Sequence, residues 1–232
     1  KHPWSCFRKC GKTTNQNSVN GNAYMINSRN YIVLLLVLST TIIACSKPEA
    51  KPNTIYNSAN SNDYLSEVCQ YNDGDQEARF KLLFIGNSLT YSNDLPQMVR
   101  DEAKKRGIDI CTKMLAFSNY AIVDHWADGK VQELIKTKNY DFVIIQQGPS
   151  SQQEGKDMLI NGGKLYSDFC KKYNVKLAYF MVWPSLAYYH TFDGVIANYT
   201  EAAELNDAIL CPVGQVWKQY ICLLYTSPSP RD

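Results

Sequence analysis

The sequence predicts an α/β protein, a three-layer α/β/α sandwich around a central parallel sheet of about five strands. Short apolar runs of strand length alternate along the chain with segments whose apolar residues recur at helical spacing. Strands separated by helices need crossover connections, and these build parallel sheets that are covered on both faces. The expected domain covers residues 79–221, which is enough chain to bury a sizeable core. The abrupt change of pattern after residue 221 predicts that this domain is incomplete at its C-terminus.

The first strand is predicted at residues 82–85 and ends at Gly86, which allows a sharp turn. A helix follows, with Asp94 and Gln97 at the spacing of a capping pair and Gly107 at its end. The later elements are a half-buried strand at 108–114, a helix around 131–135, a strand at 142–145, a helix from 158 to about 173, a strand at 176–183, a helix around 195–203 and a strand at 208–211.

The N-terminal part of the sequence differs from this pattern. Residues 1–24 are polar and lack apolar periodicity, so we interpret them as upstream read-through. Residues 25–44 have a short positive start and then an apolar run, which is too short to span a bilayer but has the length of a signal-peptide core. A buried strand or an uncleaved anchor is the alternative interpretation.

Residues 42–45 (IIAC) resemble a bacterial lipobox, which implies that Cys45 is lipidated and that the protein is exported and anchored to a membrane. Residues 45–78 are rich in Lys, Pro, Asn and Ser and predict a polar tether. Within it, a short helical contact with the domain could be made by Tyr64, Leu65, Val68 and Cys69. Residues 222–232 resemble translated adapter sequence, and a genuine Pro/Ser-rich tail is the alternative.

Composition excludes several function classes. The 24 basic and 22 acidic side chains nearly cancel, which gives no signal for nucleic-acid binding. The chain has neither paired zinc-type cysteine spacing nor a phosphate-binding P-loop, so no metal and no cofactor are expected. Within the expected domain and its tether, Cys69, Cys111, Cys170 and Cys211 are either small buried apolar residues or partners in a disulfide that the sequence does not identify.

Ser88 follows the first strand at the carboxyl edge of the predicted sheet, where ligands bind in open α/β folds. Gly86-Asn87-Ser88-Leu89 resembles block I of the SGNH (GDSL-like) hydrolases, G-[DN]-S-[LF]. The resemblance extends from about residue 81 to residue 217 and implies that Ser88 is the nucleophile of an esterase. The alternative is a turn serine that bonds to its own backbone.

The resemblance also implies an oxyanion hole made by the Ser88 N–H, the Asn119 region and the Gln147 amide. The family's usual glycine is absent near Asn119, and the run Gln146-Gln147-Gly148-Pro149-Ser150 replaces the common G-x-N-D block with a Q-G-x-S version. The alternative is that Gln146 and Gln147 satisfy backbone groups of their loop.

The family's base lies in a late D-x-x-H block, and the sequence after residue 211 contains no histidine. We therefore expect a truncated hydrolase whose catalytic Asp and His are not in the chain and which has little or no activity. His125 and His190 are either cleft-lining or simply loop and capping residues. The other candidate cleft-lining residues are Asn87, Ser150, Trp183 and Asp193.

The prediction is thus an exported, lipid-anchored SGNH-type esterase that acts on acyl or acetyl esters of small molecules or carbohydrates. One alternative is a non-catalytic surface lipoprotein that binds glycans in the same cleft. A flavodoxin-like domain, with residues 86–93 cradling a phosphate, is a third interpretation, which the few small residues of that loop disfavour.

Overall fold

The structure is a computed structural model that describes residues 68–70, 80–137 and 139–226. The predicted read-through, the signal peptide, Cys45 and the end of the predicted adapter tail lie outside the described residues. These interpretations stay predictions.

A six-stranded sheet forms the centre of the domain. Its strands are β1 (Val68–Gln70), β2 (Phe80–Gly86), β3 (Ile110–Ala116), β4 (Phe142–Ile145), β5 (Lys176–Phe180) and β6 (Ile209–Cys211), in the order β1-β3-β2-β4-β5-β6. Strands β2 to β6 pair in parallel, which confirms the five-stranded parallel sheet. Every residue of β4 is buried, as expected for a central strand covered on both faces.

Strand β1 lies within the segment predicted to be a tether. It pairs antiparallel with β3, with Val68 opposite Thr112 and Cys69 opposite Cys111. The predicted helical contact at Val68 and Cys69 is therefore wrong, since these residues add an edge strand to the sheet. Cys111 is disulfide-bonded, whereas Cys170 and Cys211 are free and buried.

Helices connect the strands. They are α1 (Ser88–Tyr91), α2 (Leu95–Lys105), α3 (Ile122–Ala127), α4 (Lys130–Thr137), α5 (Gln153–Asp157), a π-helix (Met158–Gly162), α6 (Gly163–Lys172), a 3-10 helix (Leu186–Thr191), α7 (Phe192–Leu205) and α8 (Val213–Thr226). Helix α8 continues past residue 222, the predicted start of the adapter tail. Among the described residues, no helix has the length and hydropathy that crossing a bilayer requires.

The ends of helix α2 lie near their predicted positions, but the next strand, β3, begins later in the chain than predicted. Asp94 caps the helix by accepting a hydrogen bond from the Gln97 N–H at 3.2 Å. At the other end, the Gly107 N–H donates to the Lys104 carbonyl and the Ile108 N–H to the Ala103 carbonyl, each at 3.0 Å, which is a Schellman motif. Because the Ile108 amide is used there, β3 begins at Ile110 rather than at the predicted residue 108.

Buried tyrosines hold the helical layer against the sheet. Tyr179 of β5 is fully buried and donates its hydroxyl proton to the carbonyl of Leu159 in the π-helix at 2.8 Å. A Cβ at Gly163 would lie 1.5 Å from the Tyr179 hydroxyl, so only glycine allows this close approach. Burial raises the pKa of Tyr179 well above its ordinary value, which keeps the phenol neutral and able to donate.

Candidate active site

Ser88 lies on a tight turn between β2 and α1, as the sequence predicted. It is the first residue of α1, and its side chain is half-buried. Asn87 caps this helix, since its Oδ1 accepts a hydrogen bond from the Leu89 N–H at 3.1 Å. In the part of the chain that the structure describes, no hydrogen bond is formed by the Ser88 hydroxyl. This contradicts the alternative in which the hydroxyl is occupied by its own backbone.

The turn requires glycine at position 86 because other side chains fill the space around it. A Cβ at Gly86 would lie 2.2 Å from Thr90 Oγ1 and 2.6 Å from Gln146 Oε1. Real Cβ atoms essentially never approach that closely. The motif's glycine is therefore a steric requirement of the site.

Gln146 links the end of β4 to this turn. Its buried Oε1 accepts hydrogen bonds from the Asn87 N–H at 3.0 Å and from the Thr90 hydroxyl at 2.8 Å. Its Nε2 donates to the Gln147 carbonyl at 2.9 Å. The sequence predicts only a loop position for Gln146 and not this role, although a glutamine pair at the end of a buried strand was a signal.

The loop after β3 carries the predicted donor Asn119. Asn119 is exposed and has φ of 61°, the left-handed conformation that glycine adopts most easily and asparagine tolerates. Asn119 thus adopts a backbone conformation that often calls for glycine. The loop is tied to the nucleophile turn because Asn87 Nδ2 donates to the Tyr120 carbonyl at 3.2 Å.

Gln147 is buried beside the same loop, and its side chain has partners. Its Oε1 accepts from the Ile122 N–H at 2.9 Å, and its Nε2 contacts Met158 Sδ at 3.3 Å. Its carbonyl accepts from the Tyr199 hydroxyl at 2.5 Å. These contacts favour the alternative in which the glutamines satisfy loop groups, and the oxyanion role of Gln147 stays a prediction.

His125 does not line an open cleft, which corrects that prediction. Its side chain is 0% exposed and packs between the rings of Phe117 and Tyr120, at centroid distances of 5.6 and 4.9 Å. Its Nε2 lies 2.7 Å from the Gly86 carbonyl oxygen, to which it must donate a proton. Burial lowers the pKa of His125, against smaller raising effects of the Gly86 bond, Asp128 and Asp124.

Two other predicted cleft residues have structural roles. Asn87 is only 9% exposed and connects the loops after β2, β3 and β4. Ser150 is half-buried, with its hydroxyl oxygen accepting from the Gln152 N–H at 3.2 Å. The Ser150 carbonyl accepts from Asn198 Nδ2 at 2.9 Å, which fixes the loop after β4 against α7.

Trp183, which follows β5 in the chain, lines a cavity of about 280 Å³. The wall consists mostly of apolar and aromatic side chains: Trp183, Pro184, Ser185, Leu186, Tyr189, Trp217 and Ile221. The rings of Trp183 and Trp217 lie 5.5 Å apart between centroids. This cavity follows the carboxyl end of β5, on the same edge of the parallel sheet as the Ser88 turn.

His190 and Asp193 are exposed on the elements that follow this cavity-lining segment. His190 lies in the 3-10 helix, 6.4 Å from the Tyr188 ring between centroids. Asp193 forms an ion pair with Lys218 of α8. Neither residue contacts Ser88 among the hydrogen bonds of the described residues, so neither completes a triad here. The described residues also contain no cluster of three His, Cys, Asp or Glu side chains that could hold a metal ion.

No protein-family model and no curated protein matches the chain. Solved structures do resemble it. The lipase/acylhydrolase from Enterococcus faecalis is 11% identical over 61% of this chain and 80% of its own, with a TM-score of 0.47. The SGNH-hydrolase family esterase AlinE4 is 16% identical over 67% and 82%, with a TM-score of 0.46.

The family 3 carbohydrate esterase from Clostridium thermocellum is also similar, at 15% identity over 64% of this chain and 99% of its own, with a TM-score of 0.40. The solved structures that resemble this chain thus include an SGNH-hydrolase family esterase and a carbohydrate esterase.

Proposed function

We propose that the protein is a serine ester hydrolase of the SGNH type with Ser88 as its nucleophile. The observation that carries the proposal is the Ser88 turn itself. Loops from three neighbouring strands fix it through Asn87 and Gln146, while the Ser88 hydroxyl has no hydrogen-bond partner among the described residues. A half-buried hydroxyl on a rigid turn is what an attacking serine needs.

The reaction begins when Ser88 Oγ attacks the ester carbonyl carbon, and the carbonyl oxygen becomes an oxyanion. The N–H groups of Ser88 and Asn119 are the backbone donors that we assign to this oxyanion. Gln147 can contribute a third donor, since its Nε2 carries two protons and its contact in the structure is a thioether, a weak acceptor. Each such donor typically stabilises the transition state by about 3–4 kcal/mol.

The base that removes the Ser88 proton is the remaining requirement. His125 cannot supply it through Nε2, which donates to the Gly86 carbonyl. We propose that an Asp-x-x-His encoded after the position of Trp217 provides the base, and that the 232-residue chain has little activity without it.

The test compares the 232-residue chain with the product of the complete gene, using p-nitrophenyl acetate. We expect hydrolysis by the complete product and a loss of at least about 10³-fold in its Ser88→Ala variant, because the nucleophile is removed. The free energy of unfolding should change little, since the Ser88 hydroxyl forms no hydrogen bond within the described ranges of the chain. Full activity in Ser88→Ala would refute the nucleophile.

The substrates we propose are acyl or acetyl esters of small molecules or carbohydrates. The aromatic cavity beside Trp183 suits an acyl group or the apolar face of a sugar. We further propose export and lipid anchoring at Cys45, which metabolic labelling with radioactive palmitate would test. A gene that continues without a late histidine would instead favour the glycan-binding lipoprotein.

A further inference from the structure

The buried imidazole of His125 has no role in the chemistry proposed above. Its Nε2 donates to the Gly86 carbonyl, while its Nδ1 is buried and has no hydrogen-bond partner among the residues that the structure describes. A buried polar atom without a partner destabilises the folded state, so packing alone would favour an apolar side chain at this position. A buried polar side chain that forms only some of its possible hydrogen bonds needs an explanation other than packing.

The peptide that joins Gly86 to Asn87 is held on both sides. Its carbonyl oxygen accepts from His125 Nε2 at 2.7 Å and from the Phe117 N–H at 3.2 Å. Its N–H donates to Gln146 Oε1 at 3.0 Å. Because a peptide unit is planar, these three bonds fix its orientation.

This peptide controls the direction of the Ser88 N–H. Only the φ and ψ angles of Asn87 separate the clamped peptide from the next one, which carries the Ser88 N–H. Those angles are fixed in turn by the two side-chain bonds of Asn87, from the Leu89 N–H and to the Tyr120 carbonyl. Rotation of the clamped peptide would therefore displace an oxyanion donor.

His125 also supports the second oxyanion loop. Its ring stacks on Phe117 at an interplanar angle of 24° and lies against Tyr120, so it contacts both ends of the turn that contains Asn119. A single side chain thus touches the loop that carries each proposed backbone donor.

We propose that His125 is a positioning residue for the Ser88 site. As the neutral Nε2–H tautomer, it holds the Gly86–Asn87 peptide and the Asn119 loop in the orientations that place the two backbone oxyanion donors. The inference rests on the proposed function. Burial keeps the pKa of His125 below its ordinary value, which agrees with a neutral ring.

The first experiment determines the tautomer in the 232-residue chain by ¹⁵N NMR after selective histidine labelling. The chain has three histidines, and the exposed His190 serves as an internal reference for a solvent-accessible ring. We expect the resonances of a fixed Nε2–H tautomer for His125 at neutral pH. An Nδ1–H tautomer or a charged ring at neutral pH would overturn the proposal.

The second experiment separates the donor from the ring in the product of the complete gene. In His125→Gln, the side-chain amide nitrogen can occupy the place of Nε2, whereas His125→Phe keeps the stacked ring and lacks the donor. We expect the rate of Ser88 modification by a fluorophosphonate to fall about 10- to 100-fold in His125→Phe, as misplaced groups near a reacting centre typically cause. His125→Gln should recover most of this rate, and with esters kcat should fall rather than KM rise, since His125 does not touch substrate.

Equal rates in the parent and His125→Phe, or equal losses in both variants, would overturn the positioning role. If Ser88 is not modified even in the parent, the proposed hydrolase function fails. In that case, the rate of hydrogen exchange at the Asn87 amide tests whether His125 holds the Gly86–Asn87 peptide. Faster exchange in His125→Phe than in His125→Gln would support the clamp, and unchanged exchange would exclude it.

Discussion

Replacing Gly86 with alanine tests whether the nucleophile turn is as tightly packed as the structure indicates. The new Cβ would lie 2.2 Å from Thr90 Oγ1 and 2.6 Å from Gln146 Oε1, so both side chains must move. Their movement threatens two buried hydrogen bonds to Gln146 Oε1, from the Thr90 hydroxyl and from the Asn87 N–H.

The expected loss follows from these contacts. Overpacking costs about 1–3 kcal/mol, and each buried hydrogen bond that is left unmade costs about 1–3 kcal/mol. Alanine restricts the unfolded chain and returns about 0.4–1 kcal/mol. With one of the two bonds broken, these contributions lower the free energy of unfolding of Gly86→Ala by about 1–6 kcal/mol, with a central value of about 3 kcal/mol.

Urea denaturation followed by tryptophan fluorescence measures this change from the midpoint and slope of the transition. Gly148→Ala is the matched control, since Gly148 follows β4 at the same edge and a Cβ there would meet nothing within 4 Å. Its free energy of unfolding should change by no more than about 1 kcal/mol. Thr90→Ala removes the nearest atom, so the double variant with Gly86→Ala should lose less than the sum of the single losses. Equal stabilities for Gly86→Ala and Gly148→Ala would refute the reasoning.

Three further predictions follow from residues described above. Asn119→Ala should lower the free energy of unfolding by about 1–2 kcal/mol, because alanine disfavours a φ of 61°, whereas Asn119→Gly should be neutral, as urea midpoints would show. The pKa of His125 in the folded state is below its ordinary value of 6.5, so the unfolded chain binds the proton first as pH falls. The free energy of unfolding should therefore decrease from pH 6.5 to pH 5, by at most about 1.4 kcal/mol per pH unit. His125→Gln should flatten this decrease, and an unchanged decrease in that variant would contradict the assignment. Burial raises the pKa values of Cys170 and Cys211 to about 12, so neither should react with a disulfide reagent at pH 8 until urea unfolds the protein; rapid reaction of the native thiols would show that they are accessible.

Local patterns in the sequence were sufficient to predict most of the sheet. Strand β4 was predicted with its observed bounds, because a run of four apolar residues between polar ones has few other interpretations. The π-helix from Met158 to Gly162 was not predicted. Its Leu159 carbonyl accepts a hydrogen bond from the Tyr179 hydroxyl of β5, a contact that local periodicity does not reveal. Strand β1 was missed because three residues in a polar segment carry too little periodicity.

The site was predictable where it depends on local turn chemistry and unpredictable where it depends on distant contacts. The position of Ser88 followed from the strand, the glycine and the motif. Nothing in the neighbourhood of His125 indicates that its imidazole meets a carbonyl 39 residues away. Likewise, the sequence could not show which of the adjacent residues Gln146 and Gln147 would contact the nucleophile turn.

The hydrogen bonds around Ser88 also determine when the site can form during folding. Asn87 bonds to residues 33 and 59 positions away along the chain, and Thr90 to one 56 positions away. Contacts between such distant residues require the closure of long loops, so they form slowly and after local structure. The Ser88 turn therefore becomes rigid only once β2, β3 and β4 have joined in one sheet. A partly folded chain would present a serine without the geometry to react, so reactivity would arise together with the finished fold.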